Sequence, residues 1–393
     1  MKQMIRRTAR RMPVFALLVT LCLMQFAHCY ADGDGSIPTD ASPATPAISA
    51  KAAVLLEAQS GQVLFSHNAD EQMAIASTTK IMTALLIAQA CALEQTVAVP
   101  AQAVGIEGSS AYLYEGEKLT VEQLLYALML QSANDAAVTL ALHLDQSIEA
   151  FAERMNAKAE DLGMQNTHFV NPHGLPDDNH YSTAADMALL TRAALQNETV
   201  RTVVGTYRKE VTDESGKAKH MFVNHNRLLR SYEGAIGVKT GYTKAGGRCL
   251  VSAAQREGVT LICVTLSDPN DWKDHAALLD WGFSRCSYCT LLAKGALSTV
   301  VPVVGTASST QIKVTNSCEI SYISTDGGNE QITDKMYLPR FLYAPKKKGD
   351  TVGKIEYYRG GTLIGESPLV LTQSVRAYLP KRGLAAWWER LFG

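Results

Sequence analysis

The 393-residue chain has no marked excess of charge of either sign. Its formal net charge is −1, so nothing in the charge balance indicates nucleic-acid binding. Charged residues make up only 19% of the chain, against an apolar share of 47%. That composition is typical of a globular protein and excludes a disordered one. The length leaves room for more than one domain.

A long apolar run is also missing from the N-terminus. The apolar segment 14–27 is too short to span a bilayer comfortably, and basic residues precede it: Lys2, Arg6, Arg7, Arg10 and Arg11. A basic region followed by a short apolar region is typical of a secretory signal. We predict a signal peptide over residues 1–31, removed after Ala31, and therefore an exported protein. Residues 32–50 are rich in Pro, Ala, Gly and Asp, which predicts a flexible linker.

Cysteine or histidine pairs at zinc-finger spacing are missing too. Cys286-x-x-Cys289 has no second pair to complete a metal site, so we expect none. Beyond the predicted signal peptide the number of cysteines is even, which permits disulfides in an exported protein. Cys249 and Cys263 lie almost symmetrically about the turn 256–258. They either face each other across a hairpin or are buried thiols in apolar strands.

The patterns of residues 51–288 predict one mixed α/β domain. Strand-like segments open it, mostly helical patterns follow between residues 81 and 200, and strands return before a last helix. The predicted strands cover 53–56, 63–65, 234–239, 248–253 and 259–266, and the last helix covers 274–283. Strands at both ends with helices between them indicate a sheet that pairs its first and last strands.

The end of the chain has a different texture. Short strand-like runs separated by Gly, Asp and Lys turns predict a small β-domain over residues 289–380. Residues 381–393 predict an amphipathic helix, because five apolar residues share one helical face: Leu384, Trp387, Trp388, Leu391 and Phe392. Two tryptophans on such a face suit a membrane interface. We predict that this helix anchors the protein to a membrane surface; the alternative is that it docks on its own β-domain.

Ser77 and Lys80 form the first of three motifs that indicate the chemistry of this protein. They are three residues apart at a predicted helix start, so they share a face, and no other Ser-x-x-Lys occurs in the chain. A serine hydroxyl becomes a good nucleophile when a neighbouring base takes its proton. Lysine serves as that base once burial or a second cation lowers its pKa, and the apolar run 81–88 predicts burial. The alternative is an ordinary capped helix start.

Two further motifs follow in the chain. Ser132-Ala133-Asn134 comes directly after a helix predicted over residues 119–130, in a loop that projects side chains into a cleft. There Ser132 is suited to pass a proton from the base to a leaving amine. The side-chain amide of Asn134 is both donor and acceptor and is suited to hold a substrate backbone group.

The third motif, Lys239-Thr240-Gly241, ends an apolar strand segment. A strand edge there presents Lys239 and Thr240 to an anion, and Gly241 lets a substrate approach the backbone closely. Lys239 is also the second cation that the proposed base needs. The backbone N–H groups of Tyr242 and Ser77 are a candidate oxyanion pair.

The three motifs in this order resemble those of the serine-type D-alanyl-D-alanine carboxypeptidases, the low-molecular-mass penicillin-binding proteins of peptidase family S11. Further segments resemble that family as well: 75–83, 169–175, 224–229 and 237–243. The resemblance implies a β-lactamase/transpeptidase-like domain, with a central antiparallel sheet, helices on its faces and a helical subdomain, followed by a small all-β domain. We interpret His173 and His225 as structural. Arg248 either adds positive potential to the site or is a surface charge.

The resemblance also implies a reaction. Ser77 attacks the carbonyl between the two terminal D-alanines of a peptidoglycan stem pentapeptide, and Lys80 accepts its proton. Ser132 relays a proton to the departing D-alanine, Lys239 and Thr240 bind the terminal carboxylate, and water releases the shortened peptide. A β-lactam is expected to acylate Ser77 in the same way. No cofactor is implied, and the location implied is the outer face of the bacterial cytoplasmic membrane.

The sequence bears on three alternative functions. A class A β-lactamase uses a glutamate in an E-x-x-x-N loop to deacylate, and no such pattern lies between Ser132 and Lys239. A catalytically silent wall-binding protein does not require the complete motif set that this chain carries. A peptidoglycan endopeptidase on the same scaffold remains open.

Overall fold

The computed structural model describes residues 44–306, 310–325, 331–379 and residue 383. The predicted signal peptide, most of the linker 32–50 and the C-terminal helix predicted over 381–393 lie outside the described residues, and they stay predictions. Within the described ranges, no helix combines the length and the apolar character needed to cross a bilayer.

Helices are concentrated between the first two strands and the last strands of the central sheet. The described part of the chain contains α1 Lys80–Ala90, α2 Val121–Leu130, α3 Asn134–Asp145, α4 Ile148–Asp161, α5 Ala184–Gln196, α6 Glu198–Gly205, α7 Leu228–Ser231 and α8 Asp271–Arg285. Two short 3₁₀ turns add Ala76–Thr79 and Ala101–Ala103.

Strands occur at both ends of the helical region and dominate the C-terminal part. They are β1 Ala52–Glu57, β2 Val63–His67, β3 Thr96–Ala98, β4 Lys118–Thr120, β5 Arg208–Thr212, β6 Lys219–Val223, β7 Ala235–Thr243, β8 Gly247–Arg256, β9 Val259–Leu266, β10 Ser287–Leu292, β11 Thr299–Val304, β12 Gln311–Asn316, β13 Ile320–Ser324, β14 Ile332–Tyr337, β15 Leu342–Tyr343, β16 Thr351–Arg359 and β17 Thr362–Leu371.

The central sheet has the order β2-β1-β9-β8-β7, and all of its strand pairs are antiparallel. The predicted pairing of the first strand with the last is confirmed, because β1 pairs with β9 along its whole length. Alternate residues of β1 face opposite sides, as a pleated strand requires. Val54 belongs to the large core shared with the helices, whereas Leu55 packs with Leu278 of α8. Helices therefore cover both faces of this sheet.

The helical part is a close-packed core built around α1. Every residue from Lys80 to Ile87 is buried, so α1 has no solvent-facing side over that length. Helix α2 begins with a capping box in which Thr120 and Gln123 satisfy each other's backbone N–H groups. Helices α2, α3 and α5 pack against α1 and thereby hold the turn before it in place.

The C-terminal part contains a six-stranded sheet of order β14-β16-β17-β12-β11-β15 and a two-stranded pair, β10 with β13. It has its own apolar core, which includes Val301, Ile312, Val314, Ile355 and Leu369. The predicted fold class is confirmed: an antiparallel central sheet with helices on its faces is followed by an all-β region.

The cysteines of the described residues are free thiols. In the sheet register Cys263 lies opposite Ser252, and Cys249 lies opposite Gly241 on the other neighbour of β8. The two residues are therefore not cross-strand partners, and the alternative of a disulfide between them is wrong. Burial raises the pKa of both thiols, that of Cys249 to about 11.

Candidate active site

Ser77 lies in the 3₁₀ turn Ala76–Thr79, which leads directly into α1. Side chains of the turn tie it to its own backbone: the Thr78 hydroxyl donates to the Ile75 carbonyl at 2.6 Å, and the Thr79 hydroxyl donates to the Ala76 carbonyl at 2.9 Å. Ala76 adopts φ +48°, an unusual conformation for a residue with a side chain. The serine was predicted at the start of an α-helix; it precedes that helix, and its spacing to Lys80 is preserved across the junction.

Lys80 is 0% exposed and is held by three oxygens. Its Nζ lies 3.0 Å from the Ser77 hydroxyl, 2.7 Å from the Asn134 side-chain carbonyl and 2.7 Å from the His173 backbone carbonyl. Burial lowers the pKa of Lys80 well below its usual value, and the charge of Lys239 lowers it further, while Asp135 opposes both. Both effects favour the neutral form of the amine.

The oxygens around Lys80 define how a neutral amine must be oriented. A neutral amine has two N–H groups and one lone pair. The carbonyl oxygens of Asn134 and His173 can only accept, so they take both N–H groups. The lone pair is then directed at the third neighbour, the Ser77 hydroxyl, which is the geometry that a proton acceptor needs.

Ser132 lies between α2 and α3, Asn134 begins α3, and both residues are almost fully buried. Ser132 adopts φ +59°, whereas Asn134 is the first residue of α3 and not part of a loop as predicted. The Asn134 amide nitrogen donates to the Glu107 carbonyl at 2.5 Å, while its oxygen accepts from Lys80. Both ends of this side chain have protein partners, so its position next to Lys80 is fixed.

Lys239, Thr240, Gly241 and Tyr242 lie on β7, the edge strand of the central sheet. Lys239 is buried, its Nζ donates to the Thr240 carbonyl at 2.8 Å, and burial lowers its pKa to about 7. A Cβ added at Gly241 would lie 3.1 Å from the Ser77 backbone nitrogen. This strand therefore runs directly beside the turn that carries the serine.

The serine and the edge strand border one cleft of about 310 Å³. Its lining residues are Ser77, Ser109, Ser132, His225, Arg227, Thr240, Gly241, Tyr242, Arg248, Asp271 and Trp272. The structure thus brings the predicted site residues together: five of them line the cleft, and Lys80, Asn134 and Lys239 are buried in or beside the segments that line it. Within the part of the chain that the structure describes, no group of three His, Cys, Asp or Glu side chains is arranged to hold a metal ion.

Sequence reasoning missed part of the cleft wall. Asp271 and Trp272 open α8, and Arg248 forms a bidentate ion pair with Asp271 at 2.8–3.0 Å. Arg248 therefore lines the site, and its charge is paired within the wall. The guanidinium groups of Arg227 and Arg248 lie 5.9 Å and 5.8 Å from the Trp272 ring. Trp272 lies outside the three motifs and outside the segments that resemble the family, so no sequence signal marked it.

Two histidines lie next to the serine turn and Lys80. Burial and the charge of Lys80 lower the pKa of His173 to about 3, so its ring is neutral, consistent with the structural role predicted for it. His180, which was not predicted, accepts from the Val170 N–H through Nδ1, so its Nε2 carries the proton and donates to the Thr79 hydroxyl at 2.8 Å. His225 differs from both, since it lines the cleft.

The chain matches the models of two known protein families. The family model described as D-alanyl-D-alanine carboxypeptidase matches residues 39–270, more than half of the chain. The chain belongs to the D-alanyl-D-alanine carboxypeptidase family. A second model, the C-terminal domain of penicillin-binding protein 5, matches residues 288–377. The predicted family is thereby confirmed, as is the predicted class of enzyme, a serine-type D-Ala-D-Ala carboxypeptidase.

Relatives of this carboxypeptidase family match along most of the chain. The D-alanyl-D-alanine carboxypeptidase DacF of Bacillus subtilis (strain 168) is 33% identical over 388 residues, covering 96% of this chain and 97% of that protein. DacC of Escherichia coli (strain K12) is 33% identical, covering 84% of this chain and 85% of that protein.

Among solved structures, penicillin binding protein 5 of Haemophilus influenzae superposes with a TM-score of 0.63 at 28% identity. That match covers 85% of this chain and 99% of that one. The carboxypeptidase DacD of Francisella tularensis superposes with a TM-score of 0.62 at 27% identity, covering 88% and 98%. The match to the whole length of these structures confirms the predicted pairing of a transpeptidase-like domain with a small β-domain.

Proposed function

We propose that the protein removes the terminal D-alanine from peptidoglycan stem pentapeptides through an acyl intermediate on Ser77. The observation that carries this proposal is the environment of Lys80. Its amine lies 3.0 Å from the Ser77 hydroxyl, and two carbonyl oxygens occupy its N–H groups. A buried amine so oriented, whose surroundings favour its neutral form, is suited to act as the general base for the nucleophile.

In the acylation step the Ser77 oxygen attacks the carbonyl between the two terminal D-alanines, and its proton passes to Lys80. The negative charge that develops on the carbonyl oxygen is stabilised by the backbone N–H groups of Ser77 and Tyr242. The close approach of β7 to the serine turn at Gly241 supports this pairing. Donors fixed in advance on backbone are effective because they need no reorganisation as charge develops.

The bond to the leaving D-alanine then breaks, and its nitrogen takes the proton that Lys80 accepted. Ser132 lines the same cleft and is the proposed relay for that proton. The sequence suggested that Asn134 holds a substrate backbone group, but its contacts support a different role better. With both ends of its amide occupied, Asn134 orients Lys80. Water subsequently attacks the acyl carbon, returns a proton to Ser77 and releases the shortened peptide.

The terminal carboxylate of the substrate is assigned to Lys239 and Thr240. Lys239 is buried in β7, directly before the cleft-lining residue Thr240, and its amine donates to the Thr240 backbone carbonyl. A bound carboxylate would supply a negative charge next to the Lys239 amine, and this charge would raise the pKa of Lys239. Recognition of the carboxylate and protonation of Lys239 are therefore coupled.

β-Lactams are proposed to acylate Ser77 by the same steps, since their strained amide occupies the place of the D-alanyl-D-alanine bond. The proposed domain boundaries remain 51–288 and 289–380. We also propose that the protein is exported to the outer face of the cytoplasmic membrane and that the helix predicted over residues 381–393 attaches it there.

The experiment that tests this function supplies purified protein with a peptide ending in D-Ala-D-Ala and measures free D-alanine. Hydrolysis of a β-lactam and cleavage of a cross-linked muropeptide are measured beside it. We expect D-alanine release that is lost in Ser77→Ala, with slow turnover of the β-lactam. Rapid β-lactam hydrolysis without D-alanine release would contradict the proposal in favour of a β-lactamase. Cleavage of the cross-linked substrate alone would favour an endopeptidase.

A further inference from the structure

The outward side of β11 is unusually apolar for an exposed strand. Along this strand Val301 and Val303 point into the core of the β-region, as alternation requires. The residues between them, Val300, Pro302 and Val304, point outwards and are exposed. The outward side of a sheet strand facing solvent is normally polar, so an apolar one needs an explanation.

Aromatic residues extend this apolar surface. Tyr343 lies opposite Val304 in the parallel pairing of β15 with β11 and is 69% exposed. The Phe341 ring contacts that of Tyr343, with centroids 5.2 Å apart. Tyr378 is 59% exposed, and its backbone N–H donates to the Gly305 carbonyl next to the end of β11. We call Val300, Val304, Phe341, Tyr343 and Tyr378 together the β11 surface.

Basic residues border the β11 surface. Lys346 is joined to Val375 by two backbone hydrogen bonds, which places the turn Lys346-Lys347-Lys348 beside the segment that leads to Tyr378. Residues 338–350 and 371–379 carry five basic residues and one acidic residue: Arg340, Lys346, Lys347, Lys348, Arg376 and Asp350. Apolar and positively charged groups therefore lie next to each other at one end of the β-region.

We propose that the β11 surface is a docking surface for a membrane that contains anionic lipids. Tyrosine and phenylalanine rings settle at the depth of lipid headgroups, where one end of a tyrosine is apolar and the other is hydrated. Lysines at the rim add attraction to anionic headgroups of about 1 kcal/mol each near a surface. Membrane contact would then come from the folded β-region as well as from the end of the chain.

Charge favours lipid over the other possible occupants. The described chain reaches this surface at residue 379, and the residues beyond it include Lys381, Arg382 and Arg390 with one acid, Glu389. A basic tail is repelled by a basic rim, so it is a poor cover for this surface. A second copy of the chain would face the same repulsion. Tail and rim are instead complementary to one anionic membrane.

The test is flotation of the full mature chain with phosphatidylcholine vesicles, with or without phosphatidylglycerol. One variant replaces apolar contacts, Phe341→Thr with Tyr343→Thr; a second replaces charges, Lys346→Gln, Lys347→Gln and Lys348→Gln. One matched control is Met336→Thr with Leu363→Thr, on the strands β14 and β17 of the same sheet. The other is Lys217→Gln, Lys219→Gln and Lys294→Gln elsewhere on the surface. All variants are checked for an unchanged melting temperature and for D-alanine release from a soluble peptide.

We expect the three-lysine variant to bind anionic vesicles about 100-fold more weakly, with little change on neutral vesicles. The aromatic variant is expected to bind both kinds of vesicle more weakly, and the controls to bind like the parent protein. Unchanged binding of both variants, combined with loss of binding in Trp387→Ser with Trp388→Ser, would overturn the proposal and leave the tail as the membrane contact. A change in oligomeric state of the aromatic variant, with vesicle binding retained, would overturn it in favour of a subunit contact.

Discussion

The proposed mechanism gives two buried lysines opposite tasks, and the surroundings of each lysine suit its task. Lys80 must be neutral to accept a proton, and it is placed where burial and a second cation disfavour its charge. Lys239 must be charged to hold a carboxylate. Burial lowers the pKa of Lys239 to about 7. We therefore expect Lys80 to limit the pH range of activity on the acid side and Lys239 to limit it on the alkaline side.

The alkaline limit is testable by exchanging one cation for another. In the free enzyme the pKa of Lys239 is about 7, so its charge is present below that pH and is lost as the pH rises through it. We predict that kcat/KM for a D-Ala-D-Ala peptide falls with an alkaline limb near that value. Lys239→Arg keeps its charge at every accessible pH, so the limb should disappear even if the maximal rate drops.

Lys244→Arg, an exposed lysine one residue beyond β7, is the control and should keep the parent profile. An alkaline limb that persists unchanged in Lys239→Arg would show that another group sets it.

The acid limit is testable at Asn134. Asn134→Asp places a carboxylate where an amide oxygen now lies 2.7 Å from the Lys80 amine, and this charge raises the pKa of Lys80. The acid limb of kcat/KM should move to higher pH, and acylation by a fluorescent penicillin at pH 7 should slow by about tenfold or more. Asn134→Ala removes the same contact without adding a charge, so it should slow acylation with no upward shift of the limb. Equal profiles for the two variants would contradict the assigned role of Asn134.

At the scale of elements, the sequence predicted the long and strongly patterned segments well. Helix α2 was expected over residues 119–130, as were a mostly helical region between residues 81 and 200 and the strands of the central sheet. The prediction missed α3, because its start at Asn134 follows α2 by only three residues and carries no side-chain cap. Two short antiparallel strand pairs, β3 with β4 and β5 with β6, were also missed, since their strands are too short to show a clear alternation.

The loop before α5 holds the serine turn through a glycine. Gly174 adopts φ +86°, and a Cβ added there would lie 1.9 Å from the Ala76 carbonyl oxygen. Gly174→Ala must therefore displace the turn that carries Ser77, and displacements near 1 Å slow catalysis by about 100-fold. We predict a loss of penicillin acylation of at least that size, measured by stopped-flow labelling.

Gly163→Ala is the matched control, because Gly163 has a similar φ of +77° but no atom within 4 Å of the added Cβ. It should lower the free energy of unfolding by about 1 kcal/mol and leave acylation unchanged. Similar acylation rates in the two variants would mean that the loop does not position the turn.

At the scale of the whole molecule, the cleft joins segments that are far apart in the sequence. Ser77, Ser132 and Thr240 were predicted because their motifs are specific and occur in a set order. Trp272 and Asp271 were not, because they reach the cleft only in the folded chain, where Asp271 at the start of α8 pairs with Arg248 of β8. Such residues have no local signal, since burial and backbone hydrogen bonding of the sheet determine where they lie.

Membrane attachment also belongs to the whole molecule. Deleting residues 384–393 should weaken association with membranes without lowering activity on a soluble peptide, because the cleft lies in the region that the central sheet and its helices form. Fractionation of cells and D-alanine release are the two measurements. Unchanged membrane association would remove the predicted helix as an attachment, and lost activity would show that the end of the chain supports the site.

The central claim is that the Ser77 hydroxyl is the nucleophile, and mapping a covalent penicillin adduct by mass spectrometry tests it most directly. The parent protein should carry one adduct on the peptide that contains Ser77, formed faster as the pH rises through the acid limb. Folded Ser77→Ala should carry none. An adduct on any other residue, or labelling retained in Ser77→Ala, would contradict the mechanism.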